Sequence, residues 1–140
     1  MTPTLAPEDA VRDRLARLVG DRVPTEPGDL PSNVFAAGCA SRLVLDHITS
    51  KWGVLVIVAL SENSLRWGEL RRGIEGISEK MLAQTLRALE ADGIVHRDAQ
   101  PTIPPRVDYS LTNRGQELSA HLLPLVRWVG ANAADIVGGH

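Results

Sequence analysis

Cysteine occurs once in this chain of 140 residues, at Cys39. No disulfide can close within one copy, which excludes the stapled scaffolds of small secreted domains and fits a reducing cytoplasm. No run approaches the ~20 apolar residues that a membrane span needs. The first residues, Met1 to Leu5, lack the basic start and apolar core of a signal peptide. We therefore expect a cytoplasmic chain with no membrane partner. Lysine stands only at positions 51 and 80, so the positive charge is nearly all arginine, and the formal net charge is −2. A chain with that balance can bind nucleic acid only by concentrating its arginines on one surface. The four histidines, at 47, 96, 121 and 140, form no metal-ligand spacing with Cys39 or with each other. No Ser/His/Asp set, paired carboxylates or Gly-rich phosphate loop is visible, so neither enzyme activity nor a cofactor is expected.

What is present suits a single domain with a real core, at 44% hydrophobic and 23% charged residues. The most informative stretch runs from Gly76 to Gly93. Ser78 suits a helix N-cap and Glu79 the positive end of the dipole. Gly93 supplies the residue that most easily turns left-handed after the last turn. Leu82, Leu86 and Leu89 make a buried stripe, and Lys80, Gln84 and Arg87 repeat the spacing on the opposite face. That layout serves a DNA-reading helix, and it equally serves an ordinary surface helix. The neighbouring segments decide between them.

Residues 1–36 read as an N-terminal extension, with a short amphipathic helix over 7–19 and a Pro-rich linker over 21–31. Helical spacing resumes from Cys39 to Thr49, with Leu43, Val44, His47 and Ile48 in phase. The run Lys51–Leu60 is apolar all round and rich in β-branched residues, so periodicity leaves strand and buried helix both open. Asn63–Trp67 has room for a brief strand. Gly68–Ile74 gives one or two helical turns, and Glu75–Ser78 breaks before the capped helix, which is the helix-turn-helix order. After Gly93 the period falls to two. Ile94–Arg97 and Arg106–Leu111 read as strands joined by a proline-stiffened loop, Gln100–Pro105, and together they make a wing. Thr112 caps a final helix whose stripe, Leu118, Leu122, Leu125 and Val129, is long for a domain of this size and points to a partner chain. Pro124 inside it is expected to kink or split it, and 131–140 is expected to be a tail.

These pieces carry a resemblance. Cys39-(x6)-Asp46-His47-Ile48-(x2)-Lys51-Trp52, Arg66-Trp67-Gly68-Glu69-Leu70, Ile77-Ser78-Glu79-Lys80-Met81-Leu82 and Leu86-(x2)-Leu89-Glu90-(x2)-Gly93 lead into Pro104-Pro105-Arg106-Val107-(x)-Tyr109-Ser110-Leu111-Thr112. Together this set resembles the HxlR-type winged helix-turn-helix regulators, over roughly Cys39 to Val129. The extension 1–36 lies outside the common core, and Trp67 stands where the family has Phe. The resemblance implies a mainly α (α+β) fold over 37–130, a winged helix-turn-helix with a two- to three-stranded β-wing and N- and C-terminal dimerisation helices. Lys51–Leu60 then becomes a buried helix. It also implies a homodimer on double-stranded DNA, reading a roughly palindromic site, with a small-molecule effector as a further partner. Side-chain chemistry divides the labour. Gln84 can pair with adenine, Lys80 and Arg87 can reach guanine or phosphate, and Ser78 with the helix N-terminus can hold phosphate. Arg71 and Arg72 on the preceding helix, and Arg97 and Arg106 on the wing, would clamp the backbone or the minor groove; Arg87 has Glu90 as a competing partner at i+3. Cys39 is a buried small hydrophobe or, as the resemblance implies, a candidate sensor thiol, its pKa open to lowering by Arg42. The alternative reading from another class is a winged-helix protein-interaction or ligand-sensing module with secondary DNA binding.

Overall fold

The computed structural model describes residues 40–138. The helix expected over 7–19, the linker and Cys39 lie outside them. The first described helix, α1 (Ala40–Thr49), buries none of its residues. Of its in-phase stripe, Leu43 and Val44 are exposed, as is their neighbour Leu45, whereas His47 and Ile48 are half-buried and Ile48 packs against the core.

The ambiguous run is a helix, α2 (Lys51–Ala59), started by Ser50, whose Oγ accepts from the Gly53 N–H at 3.0 Å. Local preference loses here because burial outweighs it. A β-branched residue costs a helix at most about 0.7 kcal/mol, whereas burying a Val or Ile side chain is worth roughly 1.5–3 kcal/mol. Val56 and Ile57 are fully buried and Leu60 caps the end almost as deeply. α2 packs against the two longest helices that follow, α4 (Glu79–Ala91) and α5 (Asn113–Gly138).

Between them come β1 (Leu65–Arg66) and α3 (Trp67–Gly73). Glu69 closes the start of α3 by accepting the Arg66 backbone N–H at 3.0 Å. The turn to α4 is built from Ile74 and Ile77, both buried, on either side of Gly76 at φ 88°. A side chain is strained at that φ, and Trp52 lies just beneath, 3.9 Å from where a Cβ would stand. At the other end of α4, the Ile94 N–H donates to Leu89 O at 2.9 Å and the Gly93 N–H to Glu90 O at 3.0 Å. With Gly93 at φ 74° this is a Schellman stop.

β2 (Val95–Gln100) and β3 (Arg106–Leu111) pair antiparallel, and β1 adds to the far side of β3, giving the order β1-β3-β2. The wing therefore has three strands. Thr112 locks the root of this sheet to α5. Its Oγ1 donates to Gly93 O at 2.6 Å and accepts the Gly115 N–H at 3.1 Å. Gly115 is the point of closest approach, since a Cβ there would sit 2.2 Å from Ile94 O.

Pro124 does not split α5, which runs from Asn113 to Gly138 through the residues expected to form a tail. Pro124 and Ala120, the carbonyl four residues back, both face solvent. Water can therefore take the hydrogen bond that the proline cannot supply. Only the first half of the expected stripe is covered. Leu122 is buried and Leu118 packs on the core, but Leu125, Val129 and neighbouring Trp128 are each about half exposed, at 52%, 47% and 58%.

Candidate nucleic-acid interface

The helix α4 stands on Leu82, Leu86 and Leu89, which are at most 2% exposed. Its opposite face presents Lys80, Gln84 and Arg87, all exposed. None of those three side chains has a hydrogen-bond or ion-pair partner among the described residues. The expected competition between Arg87 and Glu90 is not among the ion pairs found there. The helix thus offers three uncommitted long polar groups from a base with little freedom to move.

Ser78 is the N-cap, and its Oγ accepts the Met81 N–H at 3.1 Å. The hydroxyl oxygen is thereby engaged in the cap, while its O–H remains a donor. An anion can also use the positive helix end, where the backbone N–H groups of Glu79 and Lys80 lack intrahelical acceptors. Arg71 on α3 reaches across the turn to Glu79, with Nη1 at 3.2 Å from Oε1. Both groups are well exposed, so the pair contributes at most about 1 kcal/mol and yields readily to a phosphate. Arg72 folds back along α3 over Gly68, where a Cβ would come within 3.0 Å of its Nη1.

The two wing arginines leave the sheet on opposite faces. Cross-strand partners share a face of the sheet. Arg97 is opposite Tyr109, which is buried at 7% exposure, so Arg97 leaves the sheet on its core side. Arg106 alternates with Tyr109 along β3 and leaves on the other side, where its Nε donates to both oxygens of Asp108 at 3.1 Å. Consequently Arg97 lies beside α4. It lines, with Arg87 and Glu90, a cleft of about 380 Å³ floored by Trp67, Leu86 and Tyr109. Arg106 joins α3, sharing a concavity of about 710 Å³ with Arg72 and with Arg66.

Arg66 was not among the expected contact residues. It appears in the sequence only as part of the Arg66-Trp67-Gly68-Glu69-Leu70 signature. Its place is set by pairing with Asp108 across β1 and β3, a long-range register that no local pattern reveals. All eight expected contact residues are exposed. They fall into a group on α4 (Ser78, Lys80, Gln84, Arg87, with Arg71 at its turn and Arg97 beside it) and a second group around Arg72 and Arg106. Among the described residues no helix is long and apolar enough to cross a membrane.

Comparison with known proteins gives the same assignment. Residues 47–136 match the family model described as HxlR-like helix-turn-helix. The chain is 50% identical over 105 residues to YtfH of Escherichia coli (strain K12), described as an uncharacterized HTH-type transcriptional regulator, covering 75% of this chain and 83% of that one. The solved structure of ytfH from Salmonella typhimurium superposes with a TM-score of 0.72 at 47% identity, over 76% of this chain and 95% of that one. The redox regulator HypR in its oxidized form superposes at 0.62 with 38% identity, over 67% of this chain and 97% of its own.

Proposed function

Since the chain belongs to the HxlR-like helix-turn-helix family, we propose that it is a transcriptional regulator that binds a roughly palindromic DNA site as a homodimer. The observation that carries this reading is the uncommitted Lys80–Gln84–Arg87 face of α4, seated on buried leucines with Arg97 beside it. Long polar side chains on a rigid helix suit base edges in the major groove. Gln84 can pair bidentately with adenine, and Arg87 with guanine O6 and N7. Arg97 and Lys80 contribute charge toward phosphates, which fixes register without reading sequence. The half-exposed apolar side chains of α5, Leu125, Trp128 and Val129, supply a surface for a second copy. Two such subunits present α4 to successive major grooves, about 34 Å apart. A regulator of this kind works in the cytoplasm, on the chromosome.

HypR is a redox regulator by its description, which supports Cys39 as a sensor thiol in this chain as well. A thiol-reactive or other small-molecule effector would then adjust DNA affinity. With one cysteine per copy, a disulfide between protein thiols would have to join two subunits.

Fluorescence anisotropy with the DNA upstream of its own gene tests the reading. Wild type should bind that duplex selectively over random duplex, with a steep salt dependence. Gln84→Ala should lose discrimination by about 1–3 kcal/mol, roughly fivefold to 150-fold, and keep its affinity for random DNA. Arg97→Ala should weaken both duplexes by the same factor. No selective, salt-dependent binding by wild type would favour a protein-interaction or ligand-sensing module instead. Equal effects of the two substitutions on both duplexes would refute the division of roles.

A further inference from the structure

Three arginines from three separate elements converge on the concavity beside the wing: Arg66 from β1, Arg72 from α3 and Arg106 from β3. One carboxylate, Glu69, shares the lining, and it already accepts the Arg66 backbone N–H at the start of α3. The Arg66 and Arg72 side chains have no ion-pair partner among the described residues. Only Arg106 is answered, by Asp108. Concentrating three guanidinium groups on one small surface is unfavourable in isolation, and it is conspicuous in a chain whose net charge is −2. Such a cluster suits an anion with several acceptor oxygens, since guanidinium forks match phosphate geometry.

The neighbouring groove indicates which phosphate. A second concavity of about 530 Å³ runs on from the first, sharing Arg66 and Arg106, and is walled by Ile103, Pro104 and Pro105 of the wing loop. Ile103 is wholly exposed, with Thr102 Oγ1 donating to Pro104 O at 2.8 Å alongside it. A basic seat continuous with an apolar wall fits a phosphodiester flanked by deoxyribose better than a free anion. Asp108 sets the strength of the seat. Both its oxygens accept from Arg106 Nε, so it holds that guanidinium while leaving four of its five N–H donors for another acceptor. Its carboxylate, 18% exposed, lines neither concavity and acts on the seat through Arg106.

We propose that Arg66, Arg72 and Arg106 form a seat for one DNA backbone phosphate, and that Asp108 weakens binding there by competing for Arg106. This rests on the DNA-binding reading above and adds Arg66 and Asp108 to it. The seat is separate from the base-reading face of α4, so it contributes affinity without sequence preference.

The test is a salt series of anisotropy titrations, on the upstream duplex and on random duplex, with the full chain. Arg66→Gln should weaken both duplexes by the same factor and reduce the slope of log K against log salt by about 0.9, the value for one phosphate contact. Asp108→Asn should tighten both duplexes several-fold, a gain that a damaged fold cannot produce. Replacing chloride by inorganic phosphate at equal ionic strength should weaken wild type and Arg66→Gln alike. Wild type that binds duplex DNA, with Arg66→Gln keeping its slope or Asp108→Asn failing to tighten, overturns the seat and leaves the DNA-binding reading intact. Phosphate displacing wild type more than Arg66→Gln assigns the arginines to a free anion and overturns it too. Wild type without salt-dependent DNA binding removes the broader reading and the seat together.

Discussion

Gly115→Ala sets helix propensity against packing at the root of the wing. Alanine is favoured over glycine inside a helix by about 1 kcal/mol, and Gly115 lies in the first turn of α5. By propensity alone the substitution stabilises. The new Cβ, however, would stand 2.2 Å from Ile94 O and 3.1 Å from Leu111 Cβ. Ordinary contact begins near 3.4 Å, so α5 must retreat from Ile94 by more than 1 Å. Overpacking of this kind costs typically 1–3 kcal/mol. The retreat also strains the bonds that lock the junction, Thr112 Oγ1 to Gly93 O at 2.6 Å and the Thr112 N–H to Ile94 O at 3.0 Å. Each is worth about 1 kcal/mol net. Packing and hydrogen bonding together outweigh propensity, and the expected result is a loss of roughly 2–3 kcal/mol. For a domain of about this size that lowers the thermal midpoint by about 8–12 °C. Gly130→Ala is the control, because nothing lies within 4 Å of its Cβ position; there propensity acts alone and the midpoint should rise. Thermal and urea unfolding followed by circular dichroism would measure both. A Gly115→Ala protein as stable as wild type would refute the close approach of α5 to Ile94.

Val129→Glu puts a charge on the half-exposed apolar stretch of α5; the protein should stay folded but elute as a monomer in size-exclusion chromatography with light scattering, and a retained dimer would move the interface elsewhere. Dimeric operator binding should weaken with it by at least tenfold, since two half-sites no longer act together. Cys39→Ser should abolish any change in operator affinity caused by peroxide or an aldehyde in wild type; an identical response in the two proteins would remove Cys39 as the sensor.

Elements whose start and stop are written in local chemistry could be read directly from the sequence. α4 is the clearest, because Ser78 and Gly93 bracket it and its leucines keep one spacing. α2 shows the opposite. Its sequence is apolar on every side and β-branched, and only its burial in the assembled core makes it a helix. The continuity of α5 through Pro124 was hidden for a related reason, since the penalty for proline depends on whether water can reach the abandoned carbonyl.

The candidate site divides along the same line. The polar face of α4 follows from helical spacing, whereas the grouping of the arginines follows from register. A slip of one residue between β2 and β3 would move Arg97 to the other face of the sheet, beside Arg106 and away from the cleft it shares with Arg87. That register begins at Val95 opposite Leu111, one step beyond the point where the Thr112 N–H meets Ile94 O. The Gly93–Ile94–Thr112–Gly115 junction therefore does more than join α4 to α5. By fixing where the ladder starts, it determines that Arg97 stands with α4 and Arg106 with Arg66 and Arg72. Neither group of arginines can be recognised until the pairing of the strands is known.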